Sequence, residues 1–162
     1  MPPPPPSLGE IILCYTPMGR LPDTDLERFV EAQERHYENY ERALAEIRNG
    51  RKVSHWIWYI FPQLRGLGRS PMSMRYGLEG LDEATRYLSH PILGPRLREI
   101  TRALLEHRDC DVVEILGPVD ALKVCSSMTL FDRVAPDDCF AEVLLHLYGN
   151  QRCRLTLARL GA

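Results

Sequence analysis

The sequence is poor in the signatures from which function is usually read. Its five cysteines, Cys14, Cys110, Cys125, Cys139 and Cys153, are odd in number, scattered and never paired as C-x-x-C. That pattern suggests neither a disulfide framework nor a zinc knuckle, and points to reduced thiols in a cytoplasmic protein. His36, His55, His90, His107 and His146 are dispersed, with no two at ligand spacing on a helix, so no metal or other cofactor is expected. The longest uncharged apolar run falls far short of the roughly 20 residues that cross a bilayer. Ile11-Ile12-Leu13 follows prolines, not basic residues, and is too short for the apolar segment of a signal peptide. No membrane association is expected. An excess of either charge is missing too. Lys and Arg number 20 against 22 Asp and Glu, a net charge of −2, so no global field draws in nucleic acid. Arg51, Lys52, Arg65 and Arg69 form only a modest local basic group.

What is present fits one globular domain. A hydrophobic share of 44% over 162 residues is enough for a sizeable core and far from a disordered composition. Residues 1–23 read as a proline-rich tail, with a polyproline run over 2–6 that favours an extended form. Residues 24–162 read as a single helical domain. Apolar residues at three- and four-residue steps from Leu26 through Tyr37 and Tyr40 to Ile47 predict one helix over 24–49, capped by Asp23 or Thr24 and stopped by Gly50. The mixed charges opposite, Arg28 and Glu38 among them, read as a solvated face. Ser54 is expected to cap a short helix ended by Pro62, and Ser70-Pro71 to open another. Further helices are predicted over 82–88, 93–107, 111–116, 120–131, 136–149 and 155–160. With few strand-like stretches and short connections, the class is all-α, in irregular stacked helical hairpins.

The densest stretch is 50–64. It carries both tryptophans, and Trp56, Trp58, Tyr59 and Phe61 crowd four aromatics into six positions. Such a concentration belongs in a core or a pocket wall. At helical spacing Trp58 and Phe61 share a face and Trp56 points elsewhere, so one tryptophan is expected to pack inward and the other to reach a surface.

Three blocks together resemble a known family. They are Gly50-Arg51-Lys52 with Ser54-His55-Trp56-Ile57-Trp58-Tyr59-Ile60-Phe61-Pro62-Gln63-Leu64; His90-Pro91-Ile92-Leu93-Gly94 with Arg96-Leu97; and Leu122-Lys123 with Ser126-Ser127-Met128-Thr129-Leu130-Phe131. In this order and spacing they resemble the bacterial and fungal domain-of-unknown-function family 1810, some members of which carry the mislabel calpastatin. The resemblance covers roughly 26–160. It implies a compact, multi-helical, armadillo-like fold and no established biochemistry. Family members usually carry a basic residue where this chain has Cys125 and a small one where it has Met74.

Two groups of residues are candidates for chemistry. His55 can serve as a general base or acid, because histidine alone titrates near neutral pH without a shift. A buried histidine bonded to backbone near a helix start fits the same neighbours. Lys123, Ser126 and Ser127 share a helix face, and with Thr129 would offer hydroxyls and an ammonium to an anion. The order is the reverse of the Ser-x-x-Lys of lysine-activated serines, and small residues beside a lysine also permit close helix packing. Gly66-Leu67-Gly68-Arg69-Ser70 offers amides to an anion but lacks the lysine and spacing of a P-loop.

The leading expectation is a pocket for a polar or anionic, planar small molecule where the two blocks meet. His55 and Lys123 would be its catalytic candidates if hydrolysis or group transfer occurs. Gln63, Ser126, Ser127 and Thr129 would make polar contacts, and Trp56, Trp58 and Phe61 would form walls. The alternative is a protein-interaction module with a helical groove and no catalysis. In a third reading the blocks are purely structural.

Overall fold

The computed structural model describes residues 24–161. The proline-rich tail and the cap expected at Asp23 lie outside the described residues. Among the described residues ten helices follow one another: α1 (Thr24–Gln33), α2 (Tyr40–Arg48), α3 (Ile57–Ile60), α4 (Pro71–Tyr76), α5 (Leu81–Ser89), α6 (Leu93–Leu105), α7 (Val112–Leu116), α8 (Pro118–Val134), α9 (Cys139–Leu147) and α10 (Arg154–Leu160). Among the described residues there is no strand, only an isolated parallel bridge between Leu64 and Leu78. No helix among them is long and apolar enough to cross a membrane.

Helix α8 is the axis of the fold. It starts cleanly because Gly117 takes a positive φ of 85° that ends α7, and Pro118 then occupies the first turn, where its missing N–H costs nothing. Six consecutive residues, from Ser126 to Phe131, are buried. Over these turns the helix has no solvent face to place polar residues on, which explains their mixed pattern of hydroxyls and large apolar side chains, whereas the first turns expose Val119 and Leu122. Helices α5, α7, α9, α10 and α3 pack against it, and α6 packs against α2, α5 and α9. A line of touching rings joins these layers, from Phe29 (α1) to Tyr87 (α5) at 5.0 Å, Tyr87 to Phe131 (α8) at 5.5 Å, and Phe131 to Phe140 (α9) at 5.6 Å. Gln33 satisfies the buried Tyr87 oxygen by donating to it at 3.1 Å, and also donates to the Tyr59 carbonyl at 2.8 Å.

Three expectations are corrected. The continuous helix over 24–49 is two helices. Glu38 adopts a positive φ of 53°, and Asn39 caps α2 by accepting the Arg42 N–H at 2.9 Å. A residue that caps the second helix cannot also continue the first, so Tyr37 is exposed rather than inward. Ser54 does not cap α3, because its hydroxyl donates instead to Glu46 Oε2 at 2.6 Å. Nor is the charged face simply solvated. Arg28 is mostly buried, donating to the carbonyls of Arg75 at 2.7 Å and Gly77 at 3.0 Å and pairing with Glu83 at 3.4 Å, which ties α1 to the end of α4. Ser70, by contrast, caps α4 by accepting the Ser73 N–H at 3.1 Å.

Candidate functional site

The stretch from Arg51 to Gln63 is shaped by one carboxylate. Glu46, near the end of α2, accepts the N–H groups of Val53 and Ser54, the Ser54 hydroxyl and the Trp56 indole N–H, all within 3.0 Å. Burial disfavours its charge, yet these donors outweigh burial and hold its pKa down to about 2. The result orients the two tryptophans oppositely. Trp56 is fully buried, while Trp58, two residues on, is half-buried and reaches the wall of a cavity of about 560 Å³.

Three segments form that cavity. The first carries Trp58, Gln63, Leu67 and Gly68; the second is the outer face of α8, with Val119, Leu122, Lys123, Cys125 and Ser126; the third runs from Tyr148 into the start of α10. Lys123 Nζ stands 4.1 Å from the centre of the Trp58 ring, so the two aromatic- and lysine-bearing blocks do meet. Asp120 fixes that lysine. Its carboxylate pairs with Lys123 at 3.1 Å and with Lys52 at 2.8 Å, and Lys52 in turn lies 5.0 Å from the Trp56 ring. Burial works against the Asp120 charge, but the two lysines hold its carboxyl below the usual range. Asp120→Asn leaves the nearly buried Lys52 ammonium without its counter-charge. It is expected to lower stability by about 2 kcal/mol, read as a shift of the urea midpoint at unchanged slope.

The third segment returns to the cavity through a tight turn. Gly149 and Asn150 take φ of 59° and 62°, and Asn150 N–H donates back to the Leu144 carbonyl at 2.8 Å. Tyr148 is held by its hydroxyl, which donates to the Ala121 carbonyl at 2.7 Å. Arg152 is paired with Asp132 at 3.1 Å, whereas Arg154 has no ion pair among the described residues. Gln63 is 8% exposed, and its side-chain amide makes no hydrogen bond to another described residue. Its hydrogen-bonding capacity faces the cavity unused.

Of the site residues expected from sequence, Trp58, Gln63, Lys123 and Ser126 line this cavity together. Trp56, Phe61, Ser127 and Thr129 are buried and do not line it. Ser127 has no hydrogen-bond partner among the described residues. Thr129 donates to the Cys125 carbonyl at 2.8 Å and accepts the Cys153 N–H at 2.9 Å. His55 is exposed and outside the cavity wall; its backbone N–H, not its ring, is bound, donating to Glu38 at 3.1 Å. Sequence reasoning missed the third segment altogether. The Gly149-Asn150 pair, suited to left-handed conformations, was the available signal that the chain reverses there.

The family model described as "Protein of unknown function (DUF1810)" matches residues 23–160. The crystal structure of the conserved hypothetical protein Rv1873 from Mycobacterium tuberculosis shares 47% identity and superposes with a TM-score of 0.80, over 85% of this chain and 97% of that one. A comparison with curated proteins finds no match. The all-helical architecture is thus shared with a solved relative, and the chain belongs to the DUF1810 family of proteins of unknown function.

Proposed function

We propose that the protein binds a small, planar, anionic molecule in the cavity between Trp58 and the outer face of α8. The observation that carries this reading is the Lys123 ammonium held 4.1 Å from the Trp58 ring centre, within the wall of a cavity of about 560 Å³. That volume lies in the range that accommodates metabolite-sized ligands. An aromatic wall, a fixed cation and an unused amide at Gln63 together favour a flat ring that bears a carboxylate or phosphate. Arg154 would add a second positive charge at the edge. The reading assigns no reaction, and it leaves out His55, whose ring stands exposed and apart from the cavity.

A thermal-shift screen against nucleotides, sugar phosphates and aromatic carboxylates tests it. A ligand at a hundred times its dissociation constant adds about 2.7 kcal/mol and should raise the midpoint by several degrees. Trp58→Ala and Lys123→Ala are each expected to weaken a hit by about tenfold, because each removes a contact of about 1–2 kcal/mol. Hits that bind both variants as tightly as the parent protein would overturn the reading.

A second reading has its own support. Val119, Leu122 and Leu155, on the cavity rim, are 63%, 71% and 67% exposed, an apolar border that suits a partner protein better than a small polar molecule. A library without hits, together with a partner captured by the parent chain but not by Leu122→Asp, would favour it.

A further inference from the structure

Two thiols share the cavity wall, and neither has a part in the binding reading. Cys125 sits on α8, and Cys153 precedes α10. Their backbones are pinned together, because the Thr129 hydroxyl donates to the Cys125 carbonyl at 2.8 Å and accepts the Cys153 N–H at 2.9 Å. The side chain of Ser126, next to Cys125, lies 3.2 Å from Cys153 Sγ and from the Leu122 carbonyl oxygen, so its one proton can serve either. Cys125 Sγ in turn is 3.7 Å from the carbonyl oxygen of Gln151, two residues before Cys153. Both thiols are partly exposed and line the cavity wall.

We infer that Cys153 and Cys125 form an oxidisable pair, in which a hydroperoxide modifies Cys153 and Cys125 resolves the product as a disulfide joining α8 to the approach of α10. In the first step the Cys153 thiolate attacks one peroxide oxygen and the O–O bond breaks. The leaving oxygen takes a proton and departs as water or an alcohol, and Cys153 becomes a sulfenic acid. In the second step Cys125 sulfur attacks the sulfenic sulfur, the S–O bond breaks, and water leaves with the Cys125 proton. In sum, two thiols lose two electrons and two protons, and the peroxide is reduced to water and an alcohol, or to two waters.

The surroundings favour this assignment of roles. Burial works against ionisation of Cys153, but the Ser126 hydroxyl and the backbone amides of Thr156 and Leu155 hold its thiol below the usual cysteine range. Burial and the neighbouring Cys153 push Cys125 the other way, so it remains the thiol. The other described cysteines are placed differently. Cys139 is 5% exposed and is pushed up to about 12 by burial and Asp138, and Cys110 is exposed outside the cavity wall.

The test is peroxide titration of the full chain, followed by intact mass and peptide mapping under non-reducing conditions. The expected result is loss of the mass of two hydrogen atoms and recovery of one cross-linked pair, Cys125 with Cys153. In Cys125→Ser, a 1,3-diketone probe should trap a sulfenic acid at Cys153. In Cys153→Ser, thiol loss should slow by about tenfold, since the more ionised sulfur is gone. Oxidation confined to Cys110, a cross-link from Cys153 to any other cysteine, or an unchanged rate in Cys153→Ser would each overturn the inference. The readout needs no bound ligand, so this inference and the binding reading fail separately.

Discussion

Glu46→Ala is expected to destabilise the protein by about 3–5 kcal/mol, because one substitution strips acceptors from a whole turn of chain. The buried Ser54 hydroxyl and the Trp56 indole N–H both lose their partner, as do the N–H groups of Val53 and Ser54. The Ser54 hydroxyl and the Trp56 indole N–H are part-buried and cannot reach water without opening the segment that carries Trp58, whereas the Val53 N–H lies on the exposed side. The loss is measurable by urea denaturation at neutral pH. The same residue sets a pH dependence. An unperturbed glutamate titrates near about 4.3, whereas folding holds this one down to about 2. A depressed carboxylate contributes stability that is fully present above the unfolded value and lost as pH falls through the folded one. The stability difference between parent and Glu46→Gln should therefore be flat above about pH 5 and shrink between about 4.5 and 2. A difference that stays constant down to pH 2 would show that the Glu46 charge contributes nothing.

Gly94→Ala should be almost as damaging, by a different mechanism. Helix α6 begins so close behind α5 that a methyl group at Gly94 would overlap the Leu88 carbonyl oxygen, which is backbone and cannot rotate away. His90 tightens this corner, its Nδ1 accepting the N–H groups of Ile92 at 3.1 Å and Leu93 at 3.3 Å. The overlap forces the two helices apart where both meet the core, at a cost of about 3 kcal/mol and roughly 10 °C in the melting midpoint. Gly80→Ala is the control. Nothing lies within 4 Å of a methyl group there, and its φ of 176° is open to any residue, so its midpoint should stay within about 2 °C of the parent. Equal melting of the two variants would remove the steric argument.

These two residues show where sequence reading reached and where it stopped. Periodicity and caps locate most helices, because Ser70-Pro71, Asp111 and Gly117-Pro118 act on their own neighbours. The break before Asn39 escapes it, since inward-looking spacing continues across the gap and only the cap geometry shows the chain restarting. The cavity was half legible. Trp58, Gln63, Lys123 and Ser126 lie in two dense blocks, and dense blocks are visible in a single sequence. The segment from Tyr148 to Leu155 is sparse, and its place in the wall follows from a turn that packs it across α8. Glu46 was invisible for a related reason. Apart from an ordinary i,i+4 pair with Arg42, its partners lie seven to ten residues on, beyond helical spacing, so its own neighbourhood marks it only as one more surface charge.

The opposite placement of the two indoles gives this chain two separate optical reporters. Trp56 is sealed in the interior with its N–H engaged, so its emission follows global unfolding. Trp58 faces an accessible space with a cation against its ring, so its emission and its quenching by iodide or acrylamide follow what enters that space. Native fluorescence therefore separates loss of structure from occupancy without any attached dye, with Trp56→Phe and Trp58→Phe isolating each channel.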